Sequence, residues 1–269
     1  MSKGPVASSV GVVVTFAYRE PRSVLNLIRT LGAQTRPPEA MALVNFGDPC
    51  PELERVTAPF DYIYRHLPQK LPWSLAIAEN QGALLLPPVE TVLFLDADVL
   101  LAPDFIERGL RHLTPGVMVN CRLMDLPKGA VTAKTDVVRE FERLKSISVL
   151  RKEITAVGAC QWMRMRALHA MRGHDETFKM WCFEDMDFQR RARWLGLQPV
   201  HLDDETSMLH QWHRPKDSVM KDIKAPQVKA ARYWYRKNLS LLRLRALMWD
   251  IGKYDPEEIN PKGWGKIPE

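Results

Sequence analysis

With 269 residues, 46% of them hydrophobic and 26% charged, the chain can bury an ample core as one large α/β domain or two small ones. That balance excludes disordered and fibrous classes. The four cysteines, Cys50, Cys121, Cys160 and Cys182, are widely spaced without a C-x-x-C pair, which argues against a zinc ribbon or a dense disulfide framework and suits reduced core thiols in a cytoplasmic protein. The net charge of +6 is unevenly placed: ten Lys or Arg stand against two acids between Arg214 and Trp249, so the rest of the chain is slightly negative. The early apolar run, Val10 to Ala17, is too short and too β-branched for a signal peptide or a membrane span, and nothing later reaches spanning length.

Val10 to Phe16 reads as a first buried strand, followed by Thr15-Phe16-Ala17-Tyr18-Arg19 at its end and an amphipathic helix from about Val24 to Leu31. Met41 to Asn45 and Asp61 to Arg65 read as the next two strands, with Gly47-Asp48-Pro49 turning after the former. Trp73 to Leu86 suits a helix packed on the sheet, with Glu79, Asn80 and Gln81 as polar positions near its middle. Strands alternating with helices predict βαβ units and a parallel sheet, whose ligands bind beyond the carboxyl ends of the strands. Thr15 to Arg19, Asp48 and Asp96 to Asp98 would then share one rim.

The central stretch is Val92 to Leu101, VLFLDADVLL. Its apolar run reads as a strand buried on both faces that delivers Asp96 and Asp98 to its end, pointing the same way by the two-residue period. Two carboxylates held together repel, so the pair asks for a divalent cation or another positive partner. The plainer reading is a solvated acidic turn.

Beyond it, Pro103-Asp104-Phe105 marks a helix start, and Val117 to Cys121 a strand. Lys128 to Lys152, polar and mixed in sign, reads as a loop plus a helix reaching away from the sheet, with a lid over the site as its functional version. Ile154 to Arg166 resumes alternation, and Gly158-Ala159-Cys160 is small enough to admit a ligand or another backbone. A helix opens at Glu184 and ends at Gly196, with Pro199 beyond. Its first turns hold Glu184, Asp185 and Asp187. Acids there complement the helix dipole in any protein, but the preceding Trp181, Cys182 and Phe183 imply a partly desolvated setting in which a carboxylate is a better base. Gln198 to Leu202 reads as a strand. After it, His210 and His213 flank Trp212; each is a structural histidine on the plain reading, and a metal ligand when set beside the D-x-D.

LDAD at 95–98, GHDETF at 173–178, WCFEDMDFQRR at 181–191 and HQWH at 210–213 together resemble the family 2 type of GT-A glycosyltransferases, including a galactosyltransferase-like C-terminal motif. The resemblance covers roughly Val10 to His213. It implies a Rossmann-like mixed, mainly parallel sheet flanked by helices, with a catalytic domain over 1–213 and a basic helical extension over 214–269. Thr15, Tyr18 and Arg19 would line the nucleotide pocket, with Asp48, Asn80 and Trp181 contributing to the donor site. Asp96 would contact the ribose or a metal-bound water, and Asp98 the metal, with His210 or His213 completing the protein ligands. Glu184 would hold the acceptor hydroxyl and Asp185 deprotonate it, inverting the anomeric centre. One departure stands out: where the family often has an acidic pair after the second strand, Asn45-Phe46-Gly47-Asp48 holds a single acid.

A nucleoside diphosphate leaves readily only when its charge is neutralised, and a carboxylate plus imidazole set favours Mn2+ over Mg2+. The expected partners are thus a nucleotide-sugar, UDP-linked in the first instance, and a saccharide or glycoconjugate acceptor, as in polysaccharide biosynthesis; no nucleic acid is expected. The rival readings are a nucleotidyltransferase on a similar sheet, weakened by the lack of an early glycine-rich phosphate loop, and a sugar- or polyanion-binding module without catalysis. Pro226 to Trp249 reads as an amphipathic helix beside a basic stripe. Packing on the catalytic domain with the basic face in water is one expectation for it; attachment to anionic lipid, peripherally at the inner face of the membrane, or to a charged polymer acceptor is the other.

Overall fold

A computed structural model of the chain describes residues 8–17, 19–70, 72–151, 157–180, 182–213, 225–255, 258–260 and 264. Tyr18 and Trp181, both expected in the donor site, lie outside the described residues. The first half alternates strand and helix: β1 (Val10–Phe16), α1 (Pro21–Gly32), β2 (Ala40–Asn45), the short α2 (Pro51–Glu54), β3 (Asp61–His66), α3 (Leu75–Leu85) and β4 (Thr91–Leu95). Then come β5 (Val99–Leu101), α4 (Phe105–His112), β6 (Val117–Asn120), β7 (Leu123–Asp125), α5 (Phe141–Ser146) and β8 (Val149–Leu150). The last third holds β9 (Cys160–Arg164), α6 (Met165–Ala170), α7 (Glu184–Trp194), β10 (Gln198–His201), β11 (Met208–His210) and α8 (Ala225–Asp250).

Among the described residues, the main sheet has seven strands in the order β10-β6-β9-β4-β1-β2-β3. β1, β2, β3 and β4 run parallel, while β9 lies antiparallel between β4 and β6. The continuous apolar runs explain why this sheet is covered on both faces. From β1, Val10, Val12 and Val14 pack against Val24, Leu27 and Leu31 of α1, whereas Val13 faces Ala83 of α3 in a separate cluster with Phe94 and Phe188. A Cβ on Gly82 would fall 2.4 Å from Val13, so the glycine lets α3 lie close on the strand. Gly196, at φ +86°, closes α7: its N–H donates to Arg193 and that of Leu197 to Ala192, a Schellman stop at the expected glycine.

A second sheet, β5-β11-β7-β8, stands beside the first. It begins where the central stretch turns: the chain leaves β4 at Leu95, bends through Asp96-Ala97-Asp98 and enters β5. The two-residue alternation therefore stops at Leu95, and the two acids differ, Asp96 exposed and Asp98 only 4% exposed. The expectation that they leave the strand as equals is corrected by this turn.

Residues 128–151 are likewise corrected from an outward-reaching lid. Val137, Phe141 and Leu144, spaced at four and three, are buried against Leu100 and Leu209, so the segment is the floor of the small sheet. All four cysteines are free, and three are buried. No helix among the described residues is long and apolar enough to cross a membrane.

Candidate functional site

Asp98 ends the turn after β4, with its carbonyl accepting a hydrogen bond from the Gln211 N–H at 2.8 Å. That bond brings β11 and the residues after it over the carboxylate. His210 Nε2 lies 3.6 Å from Asp98 Oδ1, and His213 Nε2 lies 3.3 Å from Asp98 Oδ2. One donor atom from each of the three falls within 4.8 Å of the others. Gln211 itself points away: its amide donates to Ser23 O at 3.0 Å and accepts from Asn26 at 2.9 Å, tying the segment to α1. Arg19 completes the surroundings, its Nε donating to Asp98 Oδ2 at 3.1 Å.

The orientation of His210 is set from behind. In the small sheet one row runs Val99, His210, Asp125, Val149 across four strands. His210 Nδ1 is 2.9 Å from Asp125 Oδ1 and 3.2 Å from Arg151 Nη2; the shorter contact is to the carboxylate, which can only accept, and it favours the tautomer with the proton on Nδ1. Its Nε2 lone pair is thereby left toward Asp98. Burial works against the charge on Asp125, but the paired Arg151 and His210 hold its carboxyl below the ordinary range. Arg151 donates through Nε at 2.9 Å and again through Nη2. Burial, ahead of the opposing pull of Asp98, keeps His210 below its usual range and thus neutral, the form that binds a metal. A carboxylate, two imidazoles and a carboxylate on the far nitrogen of one of them form a donor set suited to a divalent transition metal.

Across the rim, Asp96 N–H donates to Ala159 O at 3.3 Å, next to Gly158. A Cβ on Gly158 would stand 3.0 Å from the Asp185 Cβ, so this glycine admits the first turn of α7 against β9. What approaches the small residues is therefore the candidate base. Gln161 Nε2 donates to the Asp185 carbonyl at 3.2 Å. Glu184 is 6% exposed. Both acids follow a segment in which Met180, Cys182 and Phe183 have φ of 64°, 93° and 75°, left-handed values that side chains disfavour. Helix α8 holds this segment from outside. Asn238, 1% exposed, donates to Lys179 O at 2.8 Å and to Cys182 O at 3.1 Å, and accepts from the Lys179 N–H at 3.4 Å.

Thr15 is half-buried at the end of β1, and Asp48 is exposed after β2, where Asn45 donates to its carbonyl at 2.7 Å. Asn80 does not reach the rim. It is fully buried, donating to His174 O at 2.9 Å and Glu176 at 2.8 Å and accepting from His174 N–H at 2.7 Å, so it is spent on fastening the loop at 174–176. The neighbouring Glu79 is partly buried. Burial, then the charges of Glu184, Asp185 and Asp96, push its carboxyl well above the ordinary range. Its Oε2 lies 3.2 Å from Nδ1 of the buried His174, which stacks on Phe188. Asp187 belongs to the frame, not to the chemistry: it accepts from Arg191 Nε at 2.6 Å, and Arg191 in turn donates to the Met171 and Gly173 carbonyls.

Asp125, Arg151, Glu79 and Asn238 were not singled out from the sequence as functional. Glu79 was visible as a polar break in an apolar helix, one position from the residue chosen. Asp125 and Asn238 carry no local signal, because their partners lie 85 and 59 residues away.

No family model matches the chain, and no curated protein sequence matches it. Solved structures do. GalNAc-T7 with UDP, GalNAc and Mn2+ is similar over 77% of this chain and 44% of that one, at TM-score 0.58 and 11% identity. S. aureus TarS 1-349 in complex with UDP is similar over 76% of this chain and 60% of that one, at TM-score 0.54 and 12% identity. The chain thus spans 44% and 60% of the two proteins. The mainly parallel sheet flanked by helices is the GT-A glycosyltransferase fold.

Proposed function

We propose that the chain is a metal-dependent glycosyltransferase related to the family 2 type, moving a sugar from a UDP-linked donor to a hydroxyl of a saccharide or glycoconjugate acceptor with inversion. The observation that carries this reading is the convergence of Asp98, His210 and His213, with donor atoms within 4.8 Å, on the rim that also holds Asp185. Those three residues would hold Mn2+, or Mg2+ less well given the imidazoles. When bound, the cation supplies charge neutralisation to a departing diphosphate.

The chain's own residues do the rest. Arg19 brings a fixed positive charge to the place where the phosphates would lie. Thr15 and Asp48 stand at the strand ends for the nucleoside, and exposed Asp96 for its ribose. Glu184 receives the acceptor hydroxyl. Asp185 takes its proton as the oxygen attacks the anomeric carbon; the bond to the diphosphate oxygen breaks on the opposite face, and the diphosphate leaves with that electron pair.

The test is release of UDP from a panel of UDP-sugars, with saccharide acceptors present. Manganese-dependent release that chelator stops and Asp185→Asn abolishes is expected. Equal release by wild type and Asp185→Asn would contradict the assignment of the base.

A further inference from the structure

Helix α8 has two faces, and the inward one is fully accounted for. Trp234 packs with Trp73 and Met180, Asn238 holds the Lys179 and Cys182 carbonyls, Arg245 pairs with the buried Asp175 at 3.0 Å, and Trp249 stacks on Trp194 with ring centroids 4.8 Å apart.

The opposite face presents a different composition. Lys229, Arg232, Arg236, Lys237 and Arg243 are all exposed. Interleaved with them are Tyr233, Leu244, Leu247 and Ile251, at 54%, 50%, 55% and 56% exposure. At about 100° per residue these nine positions fall within a single arc of roughly 140°. The basic residues occupy chiefly one flank of that arc and the apolar residues the other. No acid lies on this face before Asp250, at the end of the helix.

A face meant only for water has no use for three large aliphatic side chains in a row at steps of three and four. A face for nucleic acid or another polyanion would use the cations and leave the aliphatic row idle. An anionic bilayer uses both: cations at the headgroups and leucine, isoleucine and tyrosine at the acyl boundary. We infer that the outward face of α8 docks on an anionic lipid surface, the helix lying in the plane of the interface along its length of about 39 Å. This goes beyond the glycosyltransferase reading and does not depend on it. Because the inward face grips the segment before Glu184, docking would fix the catalytic rim relative to the membrane.

The experiment is flotation of the whole protein with vesicles of phosphatidylcholine, alone or mixed with phosphatidylglycerol, at low and high salt. The probes are wild type, the triple variant Arg232→Glu/Arg236→Glu/Arg243→Glu and the double variant Leu244→Ser/Leu247→Ser. Wild type is expected to float with the anionic vesicles only, more weakly at high salt. Each variant should lose at least about tenfold in vesicle affinity, since each basic residue alone is worth roughly fivefold near such a surface. Manganese-dependent UDP binding, and unchanged circular dichroism, report separately that the fold and site survive in the variants. Absence of flotation with anionic vesicles overturns the proposal. So does retention on heparin with the leucine variant floating as wild type, which would make the face a polyanion site. A concentration-dependent dimer that Leu244→Ser/Leu247→Ser dissolves, without vesicle binding, overturns it in favour of a second copy of the chain.

Discussion

The two halves of the rim are held in place by different means. Around Asp98, the supports are a sheet ladder and side-chain bonds: His210 lies between β5 and β7, Asp125 backs its ring, and Gln211 is tied to α1. Around Asp185, the preceding segment takes three left-handed residues without a glycine, and the element that restrains it is α8, far along the chain. The Asp98 side is therefore held through the small sheet. The Asp185 side is strained and is held by the C-terminal helix, which makes that helix a support of the candidate site. Strain of roughly 1 to 3 kcal/mol per such residue persists only where its surroundings over-determine it.

If the halves are separable, Asp185→Asn should lower turnover by about two to four orders of magnitude while leaving manganese-dependent nucleotide affinity near wild type, by rate assay and calorimetry. A parallel loss of affinity would show that the halves act as one. Asn238→Ala comes next. It leaves three backbone groups without their partner, so a loss of roughly 2 to 3 kcal/mol in urea unfolding is expected. Its turnover should fall further than its metal affinity, because the clamp serves the base side. On the other side, Asp125→Asn should weaken Mn2+ binding by about ten- to a hundredfold, read by electron paramagnetic resonance of free Mn2+ without any substrate. The smallest effect is Cys182→Gly, which removes the side-chain penalty at φ 93°. Set against the entropy glycine adds to the unfolded chain, it should change stability by at most about 1 kcal/mol, upward, in a thermal melt.

The sequence made the parallel half of the fold readable because β1, β2 and β4 are apolar runs whose neighbours are helices of ordinary period. That Asp98, His210 and His213 come together was readable too, since an acid after such a strand and two histidines in HQWH each carry a local pattern. Where reading failed, the cause was long-range pairing. The two-residue period makes Asp96 and Asp98 equals only if it runs past Leu95, where the strand ends. Residues 128–151 seemed polar enough for a lid, yet Val137, Phe141 and Leu144 find a core in β5 and β11. Asn80 and Glu79 stand side by side on α3, and only the turn of the helix against His174 decides which is fastened inside and which faces the acids. The basic stripe of α8 was visible as charge. That its aliphatic companions face outward follows from packing against Trp73 and Met180, which composition does not encode.

On the proposed function, Asp98, His210 and His213 form a metal site serving a nucleotide. Calorimetric titration of UDP into wild type and Asp98→Ala, each with Mn2+ and with chelator, tests it most directly. Binding to wild type that requires Mn2+, and is lost in Asp98→Ala whatever metal is present, is the predicted result. Equal UDP affinity in the two proteins with Mn2+ present would contradict the account and move the site elsewhere on the chain.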